Sequence, residues 1–316
     1  MTRTIAKIFL LQLIVLSSCK TRQLRHELQI KEYGLPPGTV EIANNIYIDE
    51  IEITNFSYLE FVWWTNRVSG NTEYKSILPD TLSWAQFPEV KCPYCKIEFY
   101  LRHPSYRNRP VVGVSYTQAL KFCKWRADRV MEYILIKHHI IPHNPNPDKE
   151  TAFTIEKYFN GNYNNIKPNP FIKYYPEYSL PDSLTYLKSI KFADSLNKVN
   201  SKYCGTKNCE DYYFHEDDIL KAKDFLTIRC LENIPNRSDS LPFGTNQTKN
   251  SYCKNCKRPL LTDLLGNVRE MTNIEGVSFG GSFFDSCDTV KSKYFYHSKK
   301  ETNAYTGFRN ICSWKK

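Results

Sequence analysis

The sequence has few of the short motifs that identify common enzymes. It contains no phosphate-binding Gly-rich loop, no Ser–His–Asp ordering and no carboxylate pair typical of glycosidases. These absences argue against nucleotide-dependent, serine-hydrolase and glycosidase chemistry. No repeat period or coiled-coil pattern occurs either, which excludes repeat architectures. Past residue 18 no segment is apolar enough to span a bilayer, so the sequence does not predict an integral membrane protein.

The charge of the chain also lacks the pattern of a nucleic-acid-binding protein. The formal net charge is +10, but the Lys and Arg residues are scattered among acids and form neither a basic helix nor an RNA-binding signature. Nucleic acid is therefore not a predicted partner. The basic excess favours anionic lipid, glycan or an acidic protein face instead.

The N-terminus has the pattern of a lipoprotein signal. A basic start precedes an apolar run over residues 8–16, which is too short to cross a membrane, and a Leu-Ser-Ser-Cys motif then ends at Cys19. We predict a signal peptide over residues 1–18, acylation of Cys19 and a polar tether over residues 19–34. The alternative is an ordinary secretory signal with a chance cysteine. We predict a lipid-anchored protein at the outer membrane, and the lack of an acidic run after Cys19 favours its periplasmic face.

Ten of the eleven cysteines remain besides Cys19. An even number of cysteines in an exported protein indicates disulfides. Two pairs are nevertheless spaced as Cys-x-x-Cys, at Cys92 and Cys95 and at Cys253 and Cys256. Four thiolates from two such pairs could hold zinc in a tetrahedral site. Zinc, disulfides and unpaired thiols all remain open for these four residues.

Residues 35–316 read as one domain with several strand and helix signals. Alternating apolar residues predict a strand over residues 46–55, and the spacing then changes to that of a helix capped by Thr54 or Asn55. Ser115 is well placed to cap a second helix. Asp182 or Ser183 could cap a third helix, which would run to about Leu196.

Three stretches of this domain are predicted to be insertions, at about residues 69–101, 131–176 and 197–250. The first holds the Cys92 and Cys95 pair. The second is rich in Asn, Pro, Tyr and Lys, so we expect it to face solvent. It also contains His138, His139 and His143, for which a solvated loop is favoured over a metal site.

Three strings in the last third of the chain occur in a fixed order: LLGNVRE at residues 264–270, Gly-Gly-Ser at 280–282 and Gly-Phe-Arg at 307–309. With the PVVGVS string at 110–115, they resemble the formylglycine-generating (sulfatase-modifying factor) family. The His-Pro-Ser-Tyr element at 103–106 is similar to a branch of lipoproteins that act in gliding motility and type IX secretion. The resemblance implies an α+β, C-type-lectin-like fold with little regular secondary structure.

The same resemblance predicts that the family's chemistry is lost. In the family's enzymes a catalytic cysteine pair lies between the second string and the third, and here Asp285 and Val290 fall at those positions. Arg269 stands where the family usually has Trp. In family enzymes a cysteine of the second helix can bridge to one near Gly-Phe-Arg, which makes a disulfide between Cys123 and Cys312 plausible.

A calcium site is the remaining candidate in this region. Around the turn, the carboxylates of Asp263 and Glu270 and the carbonyls of Gly266 and Val268 could converge on one hard cation. The resemblance implies a structural calcium at the same positions. The alternative is that the two acids only cap and solvate the turn.

These observations favour a lipid-anchored envelope protein that uses a catalytically inactive scaffold for binding or assembly with other envelope proteins. Gliding motility and type IX secretion are the processes that the resemblance suggests. A metal-dependent, oxygenase-like enzyme of the same family is the first alternative. A glycan-binding envelope lipoprotein is the second.

Overall fold

The structure is a computed structural model that describes residues 27–86, 100–203, 261, 263–283, 285, 294–296 and 302–316; for 85–86, 194, 196–203, 294 and 296 it describes the backbone alone. Cys19, the four cysteines of the two Cys-x-x-Cys pairs and Val290 lie outside the described residues. In the part of the chain that is described, no helix has the length and apolar character needed to cross a membrane.

The described residues form a mixed α and β fold with modest regular structure. The α-helices are α1 (Ile30–Tyr33), α2 (Asn55–Ser69), α3 (Asn71–Ser76), α4 (Tyr116–Lys137), α5 (Ile155–Phe159) and α6 (Ser183–Tyr203). Single 3₁₀ turns lie at Thr81–Gln86 and Pro104–Tyr106. The strands are β1 (Thr39–Ala43), β2 (Ile46–Asp49), β3 (Tyr175–Ser179), β4 (Arg269–Met271), β5 (Val277–Phe279), β6 (Tyr294–Tyr296), β7 (Thr306–Gly307) and β8 (Ile311–Lys315). The predicted α+β class is confirmed.

The strands form two four-stranded sheets. The first has the order β1-β2-β8-β3 and is antiparallel throughout. The second has the order β6-β5-β4-β7, in which only the β4–β7 pair is parallel. Strands from the beginning, the middle and the end of the chain meet in the first sheet, so the C-terminal residues complete a sheet that the N-terminal residues begin.

The strand predicted over residues 46–55 is shorter than expected. Strand β2 ends at Asp49, and the chain then runs irregularly to the start of α2. Its backbone bonds are made elsewhere: the Ile53 N–H donates to Phe308 O at 2.9 Å, and Val111 N–H donates to Ile53 O at 2.8 Å. Thr54 then caps α2 as predicted, because its side chain accepts a hydrogen bond from Ser57 N–H at 3.1 Å.

Helix α4 organises the larger core. Ser115 caps it in a reciprocal capping box with Gln118, as the sequence predicts. The helix buries Phe122, whose ring contacts those of Tyr58 and Phe308 at centroid distances of 5.8 and 5.4 Å. A ring from α2, a ring from α4 and a ring from the Gly-Phe-Arg string therefore pack as one aromatic centre.

The expectation that residues 131–176 face solvent is wrong for three of their eight Phe and Tyr rings. The side chains of Phe153, Tyr158 and Tyr163 are at most 2% exposed and belong to the same core as α4. The Asp128 carboxylate accepts the Ile155 N–H at 2.8 Å, which ties the start of α5 to α4. The polar composition misled the prediction, because Asn and Lys of this stretch surround rings that point inwards.

Candidate functional site

The Gly-Phe-Arg string links the two sheets. Strand β7 ends at Gly307 in the second sheet and β8 begins at Ile311 in the first. Between them Arg309 is fully buried, and its guanidinium donates to Glu270 from Nε at 3.0 Å and from Nη2 at 2.8 Å. Its Nη1 donates to the backbone oxygen of Asp49 at 2.9 Å. A buried ion pair therefore lies where the two sheets meet.

A second buried acid, Glu52, lies beside this pair. It accepts Asn267 Nδ2 at 2.5 Å and the Val268 N–H at 3.3 Å, and none of its surface is exposed. Burial, and then the negative charges of Asp263 and Glu270, raise the pKa of Glu52 well above its ordinary value. Burial and the neighbouring negative charges therefore favour the protonated form of Glu52 in the folded protein. Sequence pattern alone did not single out this residue, because an acid within a predicted strand usually faces water.

Three of the predicted calcium ligands precede strand β4 and the fourth, Glu270, lies within it and is already engaged. Asp263 and Gly266 have φ values of +55° and +85°, so the turn curls tightly as predicted. The carboxylate of Glu270, however, accepts the Arg309 guanidinium. Among the described residues, no group of three His, Cys, Asp or Glu side chains is placed to hold a metal ion. Calcium at Asp263, Gly266, Val268 and Glu270 stays a prediction, and Glu270 fits it least well.

The Gly-Gly-Ser string packs directly against this turn. Gly280 has a φ of +88°, and a Cβ there would lie 2.7 Å from both Leu264 O and Tyr186 Oη. Only glycine fits this position without displacing its neighbours. The next polar residue, Ser282, is fully buried and donates to Asp285 Oδ2 from its N–H at 2.8 Å and from Oγ at 2.7 Å.

Asp285 also forms an ion pair with Arg269. Arg269 Nε donates to Asp285 Oδ2 at 2.9 Å, and Nη2 donates to Oδ1. The side chains of the pair are only 14% and 7% exposed. The guanidinium lies over the rings of Phe295 and Tyr305, at 4.2 and 4.8 Å from their centroids. Arg269 and Asp285, two of the three residues that differ from the resembled pattern, therefore contact each other.

The comparison with protein families identifies this arrangement of strings. The sulfatase-modifying factor enzyme 1-like domain (FGE-sulfatase) matches residues 17–313. The chain belongs to this family. The fold expected from the resemblance is therefore confirmed at the level of the FGE-sulfatase domain.

Other comparisons add little to the family assignment. No curated protein matches the chain. Among solved structures, the crystal structure of CarF is similar at 16% identity, covering 85% of this chain and 86% of that one with a TM-score of 0.36. Treponema denticola variable protein 1 is similar at 15% identity, covering 85% and 84% of the two chains with a TM-score of 0.35.

The disulfide proposed between Cys123 and Cys312 is not formed in the structure. Both residues are buried free thiols. Asn310 Nδ2 donates a hydrogen bond to Cys123 Sγ at 3.1 Å, so this sulfur has a polar partner without a disulfide. Burial raises the pKa of Cys123 and of Cys312 to about 12, so both stay protonated.

Arg126 is a further polar residue whose role the sequence did not reveal. Its Nη1 donates to Asp49 Oδ2 at 2.7 Å. The same oxygen accepts the Asn310 N–H at 2.9 Å. An Arg on the buried side of a helix is the one signal that could have indicated an ion pair here.

Proposed function

We propose that this protein is a lipid-anchored envelope protein that uses an FGE-sulfatase domain without catalysis, for binding or assembly. The observation that carries the proposal is the environment of Asp285, which stands where the resemblance places the first catalytic cysteine. Its carboxylate accepts four hydrogen bonds, two from Arg269 and two from Ser282. A buried carboxylate, whose charge is balanced by Arg269, therefore occupies this position.

The chemistry of this carboxylate differs from that of the thiol. Formylglycine formation needs two close thiolates that hold a soft metal and activate oxygen. A carboxylate is a hard ligand, and this one is paired with a guanidinium that would repel a metal cation. A scaffold with this pair can keep the family fold, but Asp285 itself offers copper no thiolate.

The lipid anchor is the second part of the proposal. Acylation of Cys19 would hold the domain at the outer membrane, with the periplasmic face favoured, and residues 19–34 would act as the tether. We expect Cys19→Ala to release the protein from the membrane fraction. Retention of the variant in that fraction would exclude the anchor.

Assembly can be tested by recovering the tagged, full-length protein from detergent-solubilised envelopes. We expect stoichiometric protein partners, of which components of gliding motility or type IX secretion are the first candidates. Recovery of no protein, with tight binding to envelope glycans, would replace assembly with glycan binding. A preparation that carries iron or copper stoichiometrically, or that forms formylglycine in a cysteine peptide, would instead identify an enzyme.

Metal content completes the proposal. We propose calcium as a structural ion at the turn of Asp263, Gly266, Val268 and Glu270, and zinc as the alternative to disulfides at Cys92, Cys95, Cys253 and Cys256. Elemental analysis of the same preparation measures both. Calcium binding that survives Asp263→Ala would refute the proposed ligands, because this variant removes one of the two side-chain carboxylates of the proposed site.

A further inference from the structure

A groove with a volume of about 470 Å³ runs between helix α4, helix α5 and strand β3. Every residue of β3 lines one side of it. On the other side lie residues of α4 spaced three and four apart, including Leu120, Lys124 and Ala127. The groove is therefore bounded by a strand and a helix that run beside each other.

Strand β3 is at the edge of its sheet. In the order β1-β2-β8-β3 it has one neighbour, β8, among the described strands. Pro176 lies within it, and proline is tolerated in edge strands because its missing N–H need not face another strand. An open edge beside a helix is the geometry in which extended peptides are added to a sheet as an extra strand.

The two faces of β3 differ in chemistry. Pro176 and Tyr178 are buried, while Glu177 between them is exposed. Because side chains directly opposite each other in neighbouring strands lie on the same face, an added strand would place alternate residues beside these two environments. One set would meet apolar side chains of the groove and the other set would meet Glu177.

The groove is apolar within and acidic at its rim. Leu120 is 40% exposed although it lies in the lining, and Phe159 and Ile155 of α5 also face the groove. The charged lining residues are the three acids Asp128, Glu156 and Glu177 and the single base Lys124. This local excess of acid occurs on a chain whose net charge is +10.

The acids at the rim remain accessible to a ligand. Glu156 is paired with Lys124 at 3.7 Å, but the two side chains are 73% and 69% exposed. Glu177 is paired with Lys315 at 3.3 Å, and its side chain is 54% exposed. Such exposed pairs contribute little stability and can exchange partners at low cost. A basic side chain of a bound peptide could therefore replace either lysine.

We propose that the groove binds an extended segment of a partner protein in which apolar and basic residues alternate, added as a strand beside β3. The apolar residues would pack between Leu120, Phe159 and the buried face of β3. The basic residues would lie on the exposed face, next to Glu177 and Glu156. This inference rests on the proposed binding function and gives it a site and a class of ligand.

The probe is a fluorescein-labelled peptide of about nine residues that alternates Val and Lys, a usual strand length. Fluorescence anisotropy measures its binding to the full-length protein in detergent. We expect saturable binding that weakens at high salt, and no binding of the matched peptide that alternates Val and Glu. Equal binding of the two peptides, or no binding of the Val–Lys peptide, would overturn the proposal.

Two groove variants and their matched controls locate the site. Leu120→Asp should abolish binding, whereas Leu184→Asp, which alters a leucine 61% exposed on α6, should not. Glu156→Lys combined with Glu177→Lys should weaken binding about tenfold, while Glu60→Lys on α2 leaves it unchanged. Circular dichroism and thermal melting confirm that each variant is folded. Unchanged binding to folded Leu120→Asp would refute the site.

Failure of the groove proposal can be distinguished from failure of the proposed assembly function. If the envelope recovery yields stoichiometric partners and these are retained by Leu120→Asp, assembly stands and the groove proposal is wrong. Peptide binding that appears only after residues 204–260 are deleted would show that the chain's own segment occupies the groove, which also overturns the proposal. Loss of one partner in Leu120→Asp, together with loss of peptide binding, supports it.

Discussion

Asp285→Asn should lower the free energy of unfolding by about 3 kcal/mol, although it changes no side-chain volume. The two carboxylate oxygens accept from Arg269 on one side, and Oδ2 also accepts from Ser282. An amide has one oxygen and one NH₂ group, so donors of either Arg269 or Ser282 would face the NH₂ group instead of an acceptor. The Arg269 charge, 14% exposed, would also lose its counter-ion. Breaking a buried pair from one side costs about 3–5 kcal/mol, and the residual exposure favours the lower end.

A double-mutant cycle separates the ion pair from these side effects. Arg269→Met keeps an unbranched stem over the rings of Phe295 and Tyr305 and removes the charge. We expect it to cost about 3 kcal/mol as well, since it leaves Asp285 buried without its cation. The double variant should be more stable than the sum of the single effects predicts, with a coupling energy of about 2 kcal/mol.

Urea unfolding followed by circular dichroism measures all four proteins. The urea dependence should keep the same slope, so that shifts in the midpoint report stability alone. Additive effects, with a coupling energy below about 0.5 kcal/mol, would show that the two residues do not act as a pair. That result would remove the structural argument that Asp285 is neutralised at the position resembling the family's cysteine.

Three further predictions concern buried groups. Because the pKa of Glu52 is raised in the folded state, its contribution to the free energy of unfolding is fully present below the unfolded-state pKa of about 4.3 and is lost as pH rises through the folded pKa. Glu52→Gln should remove this decline from melting temperatures measured over a pH series with chelator present. Gly280→Ala should lower the free energy of unfolding by about 2 kcal/mol more than Gly34→Ala. Both glycines have positive φ, but only at Gly280 would an added Cβ lie 2.7 Å from other atoms, so equal losses of stability in urea unfolding would contradict this. Cys123 and Cys312 should resist alkylation by iodoacetamide at mildly alkaline pH until denaturant is added, because both thiols are buried and their pKa values are raised. Mass spectrometry measures the labelling, and rapid labelling of the native protein would disprove their burial.

Helix starts could be predicted from the sequence because their signals are local. Ser115 and Thr54 each bond to a backbone N–H three residues ahead. Asp182 likewise accepts the Thr185 N–H at 2.6 Å, at the start of α6. Such contacts need only the residues within one turn of helix. The end of β2 at Asp49 could not be predicted in this way, because its partner strand β8 lies at the other end of the chain.

The candidate site was predictable in part for the same reason. Arg269 and Asp285 could each be recognised as a departure from the resembled strings. Their contact could not be, since it depends on how β4, β5 and the Gly-Gly-Ser turn fold back on one another. Glu52 and Glu270 lie far apart in sequence, and only tertiary packing buries Glu52 and brings Asp263 and Glu270 close to it, which raises its pKa. The sequence therefore indicated which residues were candidates for the site, and only the folded structure showed which residues they contact.

The position of Arg309 has a mechanical consequence. Only three residues separate β7 from β8, so the two sheets are joined there by a short stretch of backbone. The guanidinium binds Glu270 of β4 and the backbone oxygen of Asp49 in β2, which cross-links one sheet to the other beside that joint. Tension applied along β3 passes in shear through its five paired residues into β8. A pull that separates the two sheets would therefore act on this buried cross-link as well as on the three-residue connection.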